Sequence, residues 1–269
     1  MNKKYFSKLF AQFVEILNQS GFVKENFLFH SYPYVNGFYP IFSKFASLAG
    51  EDKNIRILDF GCGSGFTSFV LSKMGYLVEA IDIYDVGEEI QDVFKTAGKS
   101  SQMTLWKNIT DCSINLNFNY FDGTHIPFTD AQFDHIFVHA VIEHVPSQIL
   151  DKVITEMTRV LKPSGLIVIS RTPNRYALTE FLVRSHEILF SRKELLKKFS
   201  SSFEPVFCAM TDFFPEHFPG VLQKIANIIT RPLALLDATI SRTPLSLFSH
   251  HHFIIMRKVA RNVSKSNIF

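Results

Sequence analysis

Cysteine is scarce in this 269-residue chain. The three present, Cys62, Cys112 and Cys208, are widely spaced and odd in number. That fits neither a disulfide framework nor a thiolate metal site, and it predicts a reducing, cytoplasmic setting. Long hydrophobic runs are also missing. The N-terminal stretch MNKKYFSKLFAQFVEILNQSG has a basic start, but Gln12, Glu15 and Asn18 interrupt its apolar residues, so it reads as an amphipathic helix rather than a leader. Between Thr211 and Phe248, Lys224, Arg231, Asp237 and Arg242 break every run approaching the roughly twenty apolar residues a membrane span needs. The formal charge of +3 comes with no dense basic stripe, which argues against a dedicated nucleic-acid binder. Acidic residues are absent beyond Asp237, while Arg242, Arg257, Lys258, Arg261 and Lys265 accumulate there. There is no internal repeat and no low-complexity tract.

Aromatic residues, in contrast, are abundant. They form 14% of the chain and 29 of them are Phe, enough to require either a large core or a greasy site. Apolar residues at helical spacing from Tyr5 to Leu17 predict a helix. SYPYVNGFYP then reads as a turn-rich aromatic segment before a second helical run, IFSKFASLAG. Next, IRILDF predicts a strand, FTSFVLSKMG a helix ending at Gly75, and YLVEAIDI a second strand. VGEEIQDVFKTAGK predicts a helix, INLNFNYFDG and FDHIFVHAV strands, SQILDKVITEMTRVL a helix and GLIVISRTPN a fifth strand. RKELLKKF, capped by Ser191, is a short helix, and SFEPVFCAM and HHHFIIMRKV complete seven strands. The expectation is an α/β fold with a doubly wound, mostly parallel seven-stranded sheet of Rossmann-like form. Its parts are an N-terminal helical cap over 1–50, a core over 51–210 and 249–260, a helical insertion or lid over 211–248, and a basic tail over 261–269.

Between the first strand and its helix lies ILDFGCGSG. A glycine turn at that place sits at the carboxyl edge of the sheet, where doubly wound folds hold a ligand. A dinucleotide fingerprint would need a third glycine where Phe66 stands, and no GxxxxGK[ST] loop is present. The spacing is instead Asp59, Gly61, Gly63, Gly65, with Cys62 inside the turn. Asp82 ends the second strand, where a carboxylate can accept hydrogen bonds from both hydroxyls of a ribose.

These residues, with NYFDGTHIPF and the later LKPSG turn, resemble the class I S-adenosylmethionine-dependent methyltransferases of the type 11/23 kind, nearest to the ubiquinone-type O-methyltransferases. The resemblance runs from about 55 to 173, and Ser164 replaces the first glycine usual in the last motif. It implies a cytoplasmic enzyme that moves a methyl group to a small-molecule, lipid or glycan acceptor, at a hydroxyl oxygen. The implied cofactor site is Asp59, Gly61, Cys62, Gly63, Gly65, Asp82, Ile83 against adenine, Asp122, Gly123 and His139. The alternative is a catalytically silent relative that binds cofactor or a partner. VHAVIEHVP matches the family's metal-ligand segment at Glu143 and His144, but Ala140 replaces a glutamate, so no metal is expected. Glu143, His144 and His186 are the candidates near the acceptor, with a structural role open for each. His125 reads as a surface residue, and His250 to His252 alternate faces of a strand and cannot converge as ligands. The segment 213–248 with the basic chain end is the candidate for peripheral contact with an anionic membrane.

Overall fold

The computed structural model describes residues 1–21, 31–50, 52, 54–83, 99–178, 180, 188–213 and 230–259. Seven strands form one sheet: β1 (Arg56–Phe60), β2 (Leu77–Ile83), β3 (Leu116–Phe121), β4 (Phe133–His139), β5 (Leu161–Pro173), β6 (Phe203–Thr211) and β7 (His251–Lys258). Their order is β3-β2-β1-β4-β5-β7-β6, and β7 runs antiparallel to both of its neighbours while the others are parallel. The doubly wound expectation is met.

Strand periodicity divides the core between two layers. Ile57, Phe137, Leu166, Val168, Phe253 and Ile255 face one layer, and Leu58, Ile136, Val138, Ile167, Ile169 and Ile254 face the other. Strands covered on both faces read as continuous apolar runs, which is why IRILDF and GLIVISR were recognisable. The first layer is packed by α1 (Lys3–Gln19), α2 (Ser31–Ala49), α3 (Phe66–Lys73) and α4 (Lys99–Asp111). The second is packed by α5 (Ser147–Val160) and α6 (Arg192–Phe199). Ser191 caps α6 in a reciprocal box with Glu194, as its sequence predicts. In the insertion, α7 (Thr230–Ile240) and a 3₁₀ turn (Pro244–Phe248) are described.

One local expectation is corrected. SYPYVNGFYP is not a turn but the first half of α2, which continues through Pro40. Pro33 falls in the first turn, where a missing N–H costs nothing, and packing overrides the loss of one ladder bond at Pro40. A helix that the sequence did not announce is α4, whose sequence KSSQMTLWKNITD holds few apolar residues. The helix expected over 86–99 lies almost wholly outside the described residues.

Candidate functional site

The glycine turn leaves β1 at the carboxyl edge, and its shape follows from close approaches on both sides. Gly61, Gly63 and Gly65 all have positive φ, at 69°, 51° and 82°. A Cβ on Gly61 would lie 2.6 Å from a Val141 methyl, and one on Gly65 would lie 2.8 Å from the Trp106 ring of α4. Only hydrogen fits at those two places. A Cβ on Gly63 would meet nothing within 4 Å among the described residues, so with respect to them the crest of the turn is open.

Asp82 closes the turn from β2. Its Oδ2 accepts from the Gly63 N–H at 2.5 Å and its Oδ1 from the Ile83 N–H at 2.7 Å. Burial raises its pKa, against these two N–H groups, which favour the charged form. Asp59 is fully buried beneath the turn. Its Oδ2 accepts from Ser68 Oγ at 2.5 Å, while its Oδ1 has no hydrogen-bond partner among the described residues. Burial lifts this carboxyl to about 7, against the Ser68 hydrogen bond. The Cys62 thiol is buried and stays protonated, pushed up by burial and then by Asp82.

Asp122 lies beyond β3 and its Oδ1 accepts from the N–H groups of Thr124 and His125 at 2.7 and 2.6 Å, an Asx-type turn. Gly123 follows with φ 79°, and a Cβ there would stand 3.2 Å from Ile83. The structure therefore brings Ile83 and Gly123 side by side, next to Asp82 and the turn. The open crest over Gly63, the bare Asp59 oxygen and this Ile83–Gly123 wall fit an adenosyl group with a methionine tail.

The candidates near the acceptor separate. Glu143 and His144 are neighbours on a 3₁₀ turn (Ile142–His144), yet Glu143 is buried and His144 exposed. Glu143 Oε2 is buried without a hydrogen-bond partner among the described residues, and burial raises its pKa to about 8 against its own backbone N–H and the nearby Arg171 charge. His139 Nδ1 lies 2.8 Å from Ser170 Oγ, and its ring packs 4.7 Å from that of Phe38. Burial, then Arg171, holds its pKa well below the usual histidine value. His186 lies outside the described residues. His125 is exposed and pairs with Glu156 at 3.0 Å.

The sequence reading missed a second constellation on the same edge. A bulge between Ser170 and Thr172 puts Arg171 at φ 62°, and Asp212, after β6, has φ 61°. Both are left-handed conformations that non-glycine residues rarely hold. Arg171 Nη1 is 3.3 Å from Asp212 Oδ2, and its Cζ lies 5.1 Å from the centre of the Phe38 ring. The same Oδ2 lies 3.0 Å from His251 Nδ1 and accepts from Thr211 Oγ1 at 2.9 Å. His252 points away, 2.9 Å from the Phe190 carbonyl, but His250 precedes the strand and stacks on the His251 ring at 4.1 Å, so only His251 and His252 alternate. The one advance signal was a charged residue, Arg171, inside an otherwise apolar strand. Among the described residues, no three His, Cys, Asp or Glu side chains are placed to hold a metal.

Sheet order, turn geometry and the acid at the end of β2 define the class I Rossmann-like methyltransferase fold. The Methyltransferase domain family matches residues 58–169. A demethylmenaquinone methyltransferase of Staphylococcus aureus is 28% identical over 123 residues, 46% of this chain and 45% of its own length. A protein-L-isoaspartate O-methyltransferase of Bradyrhizobium is 28% identical over 144 residues, 54% and 57% of the two chains. The chain thus spans about half the length of these relatives. The crystal structure of MccD protein superposes with a TM-score of 0.56 at 19% identity, covering 82% of this chain and 96% of that one, a likeness of fold. Residues 58–169 thus match a methyltransferase domain, set within a sheet of the class I Rossmann-like order.

Proposed function

We propose that this chain is an S-adenosylmethionine-dependent methyltransferase acting on a hydroxyl oxygen of a small-molecule, lipid or glycan acceptor. Asp82 takes the ribose hydroxyls, Ile83 packs on adenine, and Asp122 with Gly123 meets the adenine edge. The backbone from Gly61 to Gly65, with Cys62 inside it, carries the methionine portion above Asp59, and His139 borders that end. The observation that carries the reading is the meeting of an open glycine crest, the Asp82 carboxylate and the Ile83–Gly123 wall at one edge of the sheet. When bound, the cofactor supplies an electrophilic methyl group. The chain's part is to orient the acceptor, exclude water and receive a proton. Glu143, protonated near neutral pH, serves there as a hydrogen-bond donor rather than as a base.

A quinone-like lipid is the acceptor class favoured, on the name of the Staphylococcus relative and on the surface beside the site. Leu235, Leu236, Leu245, Leu247 and Phe248 are all exposed, with Arg242 among them. Apolar side chains next to positive charge suit contact with an anionic bilayer. Among the described residues, no helix is long and apolar enough to cross one. The test is transfer of labelled methyl from S-adenosylmethionine to a prenylated hydroquinone, either in anionic vesicles or in detergent. Wild type should label the quinol in both, and Leu247→Asp should lose several-fold of the rate in vesicles only. Absence of label in every acceptor offered would contradict the reading, and equal vesicle rates would remove the membrane contact.

A further inference from the structure

The edge around the glycine turn is short of positive charge. Elsewhere in the molecule, acids shielded from water are paired: Asp212 lies 3.3 Å from Arg171, Glu156 2.7 Å from Arg159 and Asp134 2.7 Å from Lys162. Asp59 and Asp82 have no cation beside them among the described residues, and the charge that acts on Asp59 is the like charge of Asp82 from the neighbouring strand. Asp82 has two backbone N–H donors. Asp59 has only the Ser68 hydroxyl of α3, and its Oδ1 is buried beneath the turn with no hydrogen-bond partner. Carboxyls shielded from water without a counter-charge are costly to ionise, and a cation placed at that edge relieves the cost.

We propose that Asp59, together with Asp82, makes this site discriminate by charge, favouring the sulfonium form of the cofactor over the thioether left once the methyl group has gone. This rests on the methyltransferase reading above. S-adenosylmethionine carries a sulfonium, an ammonium and a carboxylate, which leaves a single net positive charge. S-adenosylhomocysteine keeps the ammonium and the carboxylate and is neutral overall. A positive charge over the turn acts on Asp59 through a dry interior, where charges interact far more strongly than in water, so the carboxyl need not touch the ligand. With the methyl group goes the charge, and the product is held less firmly than the donor was.

The groups that bear on Asp59 come from each element around it. β2 contributes Asp82, the turn contributes the Cys62 thiol, which burial keeps protonated, and α3 contributes the Ser68 hydroxyl, while β4 sets Phe137 beside it. Burial lifts the Asp59 carboxyl to about 7, against the Ser68 hydrogen bond and with a smaller push from Asp82. A bound cation lowers that value. Affinity for S-adenosylmethionine therefore rises with pH up to about 7 and levels off above it, and the neutral thioether gains less.

The test is calorimetry of both ligands with the full chain at pH 5 and pH 7. In wild type the affinity for S-adenosylmethionine relative to S-adenosylhomocysteine should rise about fivefold between the two, as follows when the ligand's charge displaces Asp59 by about one pH unit. Asp59→Asn should hold the ratio constant. Ser68→Ala, which withdraws the hydroxyl that favours the charged form, should move the rise to higher pH. At pH 6.5 the wild-type heat should also vary with the ionisation enthalpy of the buffer, because binding expels a proton, and that of Asp59→Asn should not. A ratio that does not change with pH in wild type, or the same rise in Asp59→Asn, overturns the proposal and leaves the cofactor assignment in place. If Asp59→Asn does not fold, an unmoved rise in Ser68→Ala overturns it equally. Binding of neither ligand to wild type overturns the methyltransferase reading itself, and this inference with it.

Discussion

Asp59 and Glu143 are two buried carboxyl groups, each with one oxygen that has no partner, and each is pushed up by burial, to about 7 and about 8. The sign of the consequence follows from which state binds the proton more tightly. The folded chain holds these protons above the pH at which the unfolded chain releases them. Stability is therefore greatest below the unfolded values, falls as pH rises from about 4 towards 8, and levels off above that. Glu143→Gln keeps a neutral group of the same shape. The substitution should flatten this slope, making the variant more stable than wild type at pH 9 by a few kcal/mol, at roughly 1.4 kcal/mol for each pH unit by which burial displaces the carboxyl. Urea denaturation at pH 5 and pH 9 measures it, and parallel slopes for the two proteins would refute the buried, protonated state. The places of Asp59, Asp82 and Asp122 at the sheet edge were readable in advance because each lies in a short local pattern at a strand end. Arg171, Asp212 and His251 were not, since about forty residues separate each from the next and only sheet pairing brings them together.

At the scale of elements, Phe66 explains both the broken dinucleotide pattern and the surplus of phenylalanine. Standing where a third glycine would be, it begins α3, and its ring lies 5.1 to 6.3 Å from those of Phe6, Phe10, Phe13, Phe38 and Phe42. These rings belong to α1 and α2, so one side chain at the glycine turn holds both of these helices. The same α2 carries Phe38 over His139 and Arg171. Phe66→Ala should cost about 3–5 kcal/mol as a buried aromatic truncation. It should also raise amide exchange in α1 and α2 more than in β4 or β5. Uniform exchange changes would show that the cap does not depend on this ring. The central strands β1, β4 and β5 were legible because they bury both faces and read as nearly unbroken apolar runs. α2 was hidden by Pro33, Gly37 and Pro40, and the Gly37 that reads as a turn signal is there to let the helix touch Asp212.

Considered whole, the molecule gathers its chemistry along one edge of the sheet. The glycine turn, Asp82 and the Ile83–Gly123 wall are built from β1, β2 and β3, and the Arg171–Asp212–His251 cluster from β5, β6 and β7, with α2 lying over the latter. The fold fixes where a ligand sits, while the acceptor depends on residues drawn from distant parts of the chain. The central claim is that the edge around Gly63 and Asp82 holds S-adenosylmethionine. Isothermal titration of the cofactor into wild type and Asp82→Ala tests this most directly. The account predicts one equivalent bound by wild type and at least a tenfold weaker affinity, about 1.4 kcal/mol, in the variant. No heat of binding in wild type, or equal affinity in Asp82→Ala, would contradict it.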